Sequence, residues 1–339
     1  MRDRRICSLL TCLLAAGAAC AQESPRTVES LITLGAKQRE NTLASIRNSR
    51  DADATLLELS TQAATRADER RQAGQPPLFA GCLRADEFEL GAQLGLARAS
   101  YDSKAYRALA AEYRRLTTTL RTALASARST GDWRKRFSHL GHWIGDWERA
   151  KNPDTRELLE RTLVDQGIRA SLSSFDGAKI YGRTRATAAL RAYDEFLFNL
   201  MCTADEDNLN WLRAQVARNG WFDISRYGVA ADQAAWLMVQ HADGDHEYQA
   251  YIVSVLGPKA VSHETDPQNF AFLSDHVAVR AGAPQTYATQ MECVDGEWLA
   301  PHVDSPESLD ARRATMGLPP YRVQVSQRRN LHCGQKKAR

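Results

Sequence analysis

The most chemically suggestive feature of this 339-residue chain is a histidine beside an acid at the end of an apolar helix. The stretch reads Gln240-His241-Ala242-Asp243, and the residues from Val229 to Val239 before it are mostly apolar. A helix that is apolar all round belongs inside a protein. The sequence therefore predicts a helix over about 226–242 whose end carries His241 into buried surroundings. Imidazole titrates nearer neutral pH than any other unperturbed side chain. His241 is thus the candidate general base of a hydrolase, with Asp243 or Asp275 as the catalytic partner that orients it. Gln240, Gln285, Tyr287 and Gln290 are the candidate ligand-binding residues, able to position a small polar molecule. A metal-dependent version would use His241, Asp243 and Asp275, but their spacing matches no metal motif, and neither a metal nor a cofactor is expected. The same polar set would equally serve as a hydrogen-bond network that pins a C-terminal hairpin to the buried helix. G-x-S-x-G, H-E-x-x-H and P-loop patterns are absent from the sequence, which removes three common enzyme readings. The leading expectation is an envelope ligand-binding or interaction module, and the hydrolase is the alternative.

The elements that must position these residues read as mainly α (α+β). Residues 27–73 predict two helices, the second starting at Asp51 or Asp53. Gln75-Pro76-Pro77 breaks the chain, and helices follow near 84–100 and over 103–128. In the latter, Tyr106, Leu109, Tyr113, Leu116, Leu120, Ala123 and Ala127 recur at three and four, the pattern of a helix–helix seam. Residues 22–130 are therefore expected to be a helical bundle. Residues 131–320 are expected to be a second helical domain with a β-hairpin at 284–303, and 321–339 a basic tail. His139, His142 and Asp146 have ligand-like spacing, but they lie among Trp133, Phe137, Trp143 and Trp147, and the stretch reads as a packed aromatic joint. Asn152-Pro153-Asp154 starts a helix that runs to about Gln166, with Gln166 extending its apolar stripe and Asp165–Arg169 as an i,i+4 surface pair. Helices follow near 184–201 and 205–218, Asn219-Gly220 closing the second. Asp245 caps a helix that Gly257-Pro258 should end. In the hairpin, Asp295-Gly296 forms a two-residue turn that places Cys293 opposite Trp298 and Thr289 opposite His302. A last helix runs from Ser305-Pro306-Glu307 to Gly317.

Composition narrows the setting. The chain is 43% hydrophobic and 25% charged, the balance of an ordinary globular protein. Arg2, Arg4 and Arg5 precede an apolar run from Ile6 to Ala19, and Ala19-Cys20-Ala21 offers small residues for cleavage. This is the secretory signal pattern. Lipidation at Cys20 fits less well, because the stretch before it lacks the usual leucine. Without residues 1–21, which hold three Arg and one Asp, 41 basic and 40 acidic side chains remain. No net field for nucleic acid is left, no second apolar run is long enough to span a bilayer, and the expected location is periplasmic or secreted. The partner is then an unknown small polar ligand or another envelope protein. Cys82, Cys202, Cys293 and Cys333 remain, an even count that suggests two disulfides in an oxidising compartment. Cys293–Cys333 and Cys82–Cys202 are the expected pairs.

Several motifs carry a resemblance: Asn219-Gly220-Trp221, Ala235-Trp236-Leu237-Met238-Val239-Gln240-His241-Ala242-Asp243, Phe272-Leu273-Ser274-Asp275, Pro284-Gln285-x-Tyr287-x-Thr289-Gln290, and Arg312-Arg313 with Gly317-Leu318. Asp165-Gln166-x-x-Arg169 and Asp207-Asn208 precede them. Together they resemble a bacterial family known only as a domain of unknown function, over about residues 155–320. Phe222 stands where that family commonly has Pro, and Ala288 where it usually has Gly. The resemblance implies no activity. If the leader is cleaved as its small residues indicate, N-terminal sequencing of exported protein reads from Gln22; a lipid-modified Cys20 as first residue excludes that processing.

Overall fold

The computed structural model describes residues 27–72, 85–100, 102–172, 187–294 and 297–328. The leader, Cys82, Cys333 and the Asp295-Gly296 turn lie outside these residues, so neither the expected disulfide pairs nor the turn is described. The described chain is mainly helical, with one antiparallel two-stranded hairpin, Glu292–Val294 and Glu297–Leu299.

The N-terminal helices are Val28–Ile32, Ala36–Arg47, Ala52–Gln72, Ala85–Ala99 and Ser103–Thr130. The seam of the last is buried as its spacing predicts, through Tyr106, Tyr113, Leu116, Leu120, Ala123 and Ala127, while Leu109 is only partly buried. Gly131 ends this helix with φ 73°, donating its N–H to Ala127, a left-handed cap that glycine adopts at no steric cost. The aromatic joint follows: Trp133 lies 5.8 Å from Phe137 and 6.5 Å from Trp147, centroid to centroid, and all three are buried. His139 and His142 instead lean on Phe137 and Trp143, and Asp146 pairs with Arg149 at 2.6 Å. The structure thus brings these two histidines and Asp146 to rings and an arginine.

Two expected helices, near 184–201 and 205–218, are one helix of 32 residues, Ala188–Asn219. The gap expected between them, Cys202-Thr203-Ala204, carries no glycine or proline, and the helix runs through it. This helix packs on Ala85–Ala99, on Ser103–Thr130 and on Pro153–Arg169. Phe196 lies 6.3 Å from Phe88, and the Arg121 guanidinium sits 4.8 Å over its ring. One continuous hydrophobic core runs from Val28 to Leu273.

The apolar helix is split into Ile224–Tyr227 and Val229–Gln240. It is not apolar all round: Val229 is 59% exposed, and Asp232 is fully buried. Asp232 accepts hydrogen bonds from Trp221 Nε1 (2.8 Å), Thr265 Oγ1 (2.6 Å) and the Asp266 N–H (2.9 Å), so the Gly-Trp motif is stapled to this helix. The next helix, His246–Val261, is capped by Asp245 as expected but continues through Pro258. Gly257 packs beneath the Phe270 ring there, and the packing against Pro267–Arg280 outweighs the one lost backbone bond.

The hairpin keeps the expected Cys293–Trp298 pairing, but it is shorter than 284–303. Thr289 does not face His302 in a ladder; Gln285 bridges to Val303 instead, and residues 286–290 wrap around Asp275. Asp275, fully buried, accepts from the N–H groups of Thr286 (2.8 Å), Tyr287 (3.0 Å) and Thr289 (2.8 Å), and from Thr289 Oγ1 (3.0 Å). Ala288 has φ 55° within this wrap, a conformation that costs a non-glycine residue roughly 1–2 kcal/mol. The helix Leu309–Thr315 follows a short 3-10 turn, and the segment expected to be a basic tail begins with a further helix, Tyr321–Arg328. That helix is held by Arg313, fully buried, which donates to the carbonyls of Tyr287 (2.5 Å) and Pro319 (2.8 Å) and to Gln324. Removing the Asp275 carboxylate would orphan three backbone donors, at about 1–3 kcal/mol for each buried one. Asp275→Ala is therefore expected to lower unfolding free energy by at least about 3 kcal/mol in urea titrations; a loss below about 1 kcal/mol would show that water replaces the carboxylate.

Candidate functional site

The polar residues singled out from sequence fall into two separate groups in space. Asp275, Gln285 and Gln290 form one. The fully buried Gln285 donates to the carbonyls of Gln290 and Pro301, both at 2.9 Å, and accepts from the Gln290 N–H. Gln290 donates to Phe272 O and Thr289 Oγ1. The Tyr287 ring packs edge-on against Phe270, and burial raises its pKa. These bonds are directed at backbone, so the group shapes the loop. His241 is not in it, and Asp275 does not orient the imidazole.

The second group is built by three helices around His241. His241 follows the last turn of Val229–Gln240, its N–H bonded to Leu237 O. Two contacts fix that helix end. Gln249, fully buried, donates to Val239 O at 2.9 Å, and Ala242, fully buried, packs against Leu209. Asp245 pairs with Arg213 beside them. The carboxylate that reaches His241 belongs to Asp165: Oδ2 lies 3.1 Å from Nδ1. A carboxylate only accepts, so Nδ1 carries the proton. Nε2 makes no hydrogen bond among the described residues, and the imidazole side chain is 18% exposed. Asp243, expected as the orienting residue, pairs instead with His276 at 2.9 Å and Arg280 at 3.5 Å.

Asp165 is buried to 3% exposure, whereas its neighbour Gln166 is only partly buried. The expected roles of the two residues on this helix are thus exchanged, and the Asp165–Arg169 pair is no surface pair. Arg169 bridges two acids: Nε donates to Asp165 at 2.7 Å and Nη2 to Asp205 at 2.7 and 2.8 Å. Gln166 adds a bond to Asp165 at 2.8 Å. Asp205 was not evident in sequence; it lies mid-helix among other acids with no motif to mark it. Among the described residues, Asp165, Asp205 and His241 offer ligand atoms within 4.8 Å of one another. The Arg169 guanidinium already bridges both carboxylates and supplies the countercharge there.

The environment drives the two carboxylates apart. Burial works to raise the pKa of Asp165, but the hydrogen bond and charge of His241, the charge of Arg169 and the Gln166 bond outweigh it and hold it at about 2. Asp205 is pushed up to about 7, chiefly by burial and by the Asp165 charge, with Arg169 opposing. A permanently ionised carboxylate beside one poised near neutrality is the arrangement expected where acid and base roles are divided.

A model of a family of unknown function, DUF6624, matches residues 155–331, just over half the chain, and the protein belongs to that family. All of Asp165, Arg169, Asp205, His241, Asp243 and His276 lie in the matched stretch. No curated protein and no solved structure matches the chain.

The two shifts act oppositely on stability. Asp165, depressed on folding, contributes stability present above about pH 4 and lost as pH falls through about 2; Asp205, raised, contributes stability present below about pH 4 and lost as pH rises through about 7. Side-chain carboxyl NMR is expected to show Asp205 titrating near neutrality while Asp165 stays ionised to the acid limit. Thermal melts should fall between about pH 4 and 7 in wild type and flatten in Asp205→Asn. Titration of Asp205 near 4 would contradict the burial argument.

Proposed function

We propose that this DUF6624 protein is a hydrolase of a small polar substrate in which His241 is the general base and Asp165 its positioning residue. The observation that carries the reading is the buried Asp165 carboxylate 3.1 Å from His241 Nδ1, with Nε2 unbonded among the described residues and the ring partly exposed. A carboxylate on Nδ1 fixes the tautomer and stabilises the imidazolium that forms when Nε2 takes a proton. Arg169 has a further donor, Nη1, with no partner among the described residues, and it supports anchoring of an anionic substrate group. Gln240 Oε1, buried without a hydrogen-bond partner among the described residues, supports a polar ligand beside the same helix end. Gln285, Tyr287 and Gln290 then support the site from a distance, by holding the loop around Asp275.

A ligand-binding or interaction module without turnover is the second reading, favoured by the bonds through which Arg169 already ties Asp165 to Asp205. In either case we propose an exported envelope protein, on the strength of the leader-like pattern at 1–21 and the even count of cysteines beyond it. No helix among the described residues is long and apolar enough to cross a membrane.

The test is a panel of hydrolysable carboxylic esters, amides and phosphate esters, run on the full chain as wild type, His241→Ala and Asp165→Asn. His241→Ala is expected to lose about 10²–10⁴-fold in turnover, the usual contribution of a positioned base. Its melting temperature should hold within a few degrees, because the imidazole is partly exposed and makes a single hydrogen bond. Asp165→Asn should lose activity and flatten the pH profile. Equal turnover by wild type and His241→Ala refutes the catalytic role; a substrate bound but not turned over by wild type selects the binding module.

A further inference from the structure

His241 is not the only histidine backed by a carboxylate at this site. His276, on the helix Pro267–Arg280, places Nε2 2.9 Å from Asp243 Oδ1, and its side chain is 15% exposed. Asp243 stands two residues after His241, and its carboxylate is within electrostatic reach of that imidazole as well. His276 Nδ1 makes no hydrogen bond among the described residues. The two rings are mirror cases: His241 is held through Nδ1 and leaves Nε2, His276 is held through Nε2 and leaves Nδ1. Neither ring hydrogen-bonds a Ser, Thr or Cys among the described residues, so neither activates a side-chain nucleophile of that kind, and water is the nucleophile available. The charged groups around the two rings are Asp165, which pairs with His241, Arg169 and Asp205 bonded beyond it, and, on the His276 side, Asp243 and the Arg280 that pairs with it.

The geometry points to His276 as the general acid partner of His241, in hydrolysis of a phosphodiester. This rests on the base role proposed for His241. In the step, the water oxygen bonds to phosphorus while His241 Nε2 takes its proton. The phosphorus–oxygen bond to the leaving group breaks, and that oxygen receives the proton from Nδ1 of the His276 imidazolium. The products are a phosphomonoester and an alcohol, and proton exchange with solvent restores both rings. Such paired transfer matters when the leaving group is a poor one, because an alkoxide or basic phenolate cannot depart unprotonated at neutral pH. The charge around the site selects the class. Arg169 Nη1 and the half-exposed Arg280 can meet the non-bridging oxygens. Three carboxylates, Asp165, Asp205 and Asp243, disfavour a dianionic monoester more than a monoanionic diester. A neutral carboxylic ester makes no use of the guanidinium groups.

A series of aryl methyl phosphodiesters, with leaving groups from 4-nitrophenol to 4-methoxyphenol, tests the assignment on the full chain. Wild type should depend weakly on leaving-group basicity. His276→Ala should lose about 100-fold or more on 4-methoxyphenol and progressively less toward 4-nitrophenol, since a general acid is worth about 10²–10⁴ where the leaving group needs it. His276→Gln, which can keep a bond to Asp243 but cannot deliver the proton, should follow the same slope and guards against simple misfolding. His241→Ala should lose rate evenly across the series. A uniform loss, or none, in both His276 variants overturns the acid role while leaving the base intact. An undiminished His241→Ala overturns the base reading instead, and hydrolysis of none of the series by wild type overturns the phosphodiester class.

Discussion

A carboxylate buried inside a protein must be met by charge or by several donors, and three of them organise this molecule. Each is met differently. Asp232 is met by an indole, a hydroxyl and a backbone amide, which ties the Gly-Trp segment to the helix that leads to His241. Asp275 is met by amides of the loop it gathers. Asp165 alone is met by a guanidinium and an imidazole. The first two compensations use groups that keep their protons, and they yield shape. The third includes an imidazole whose other ring nitrogen makes no hydrogen bond among the described residues, and it lies where the ring still meets solvent.

That difference separates scaffold from site more sharply than residue type does. Gln285 and Gln290 look as suitable for a ligand as Gln240 does, but their amides are spent on backbone. The arginines divide the same way. Arg313 is fully buried against two carbonyls and an amide, and it holds the chain beyond Gly317. Arg169 is partly exposed and keeps a donor, Nη1, unpartnered among the described residues.

Much of this was legible in the sequence. The helical class, the seam of Ser103–Thr130, the Asn152 and Asp245 caps, and the pairing of Cys293 with Trp298 followed from local chemistry, because caps, periodicity and turn residues act over a few positions. His241 was found because an apolar run leads straight to it. What sequence could not supply was the identity of its partner. Asp165 lies 76 positions earlier on another helix, and an i,i+4 Asp–Arg pair looks the same whether it faces water or the core. Asp205 had no local mark at all, and it stood at the start of a second expected helix where one helix in fact continues. A network pinning the hairpin to the helix that ends in His241 was one expected reading, but a loop gathered around Asp275 apart from His241 was not, since alternation along a strand gives no hint that the chain curls around a carboxylate.

The helix Ala188–Asn219 has a consequence for taking the protein apart. At 1.5 Å per residue it extends about 48 Å, and it belongs to two neighbourhoods at once. Its early turns carry Phe196 against Phe88 and beneath Arg121, on the N-terminal bundle, and further along it presents Asp205 to Arg169. A fragment cut to the family-matched stretch would therefore keep every residue around His241 yet strip one whole side of the rod that carries Asp205. The smallest unit able to keep that acid in place is larger than the stretch in which the family is recognised, and the bundle ahead of it serves as the bearing on which the rod is seated.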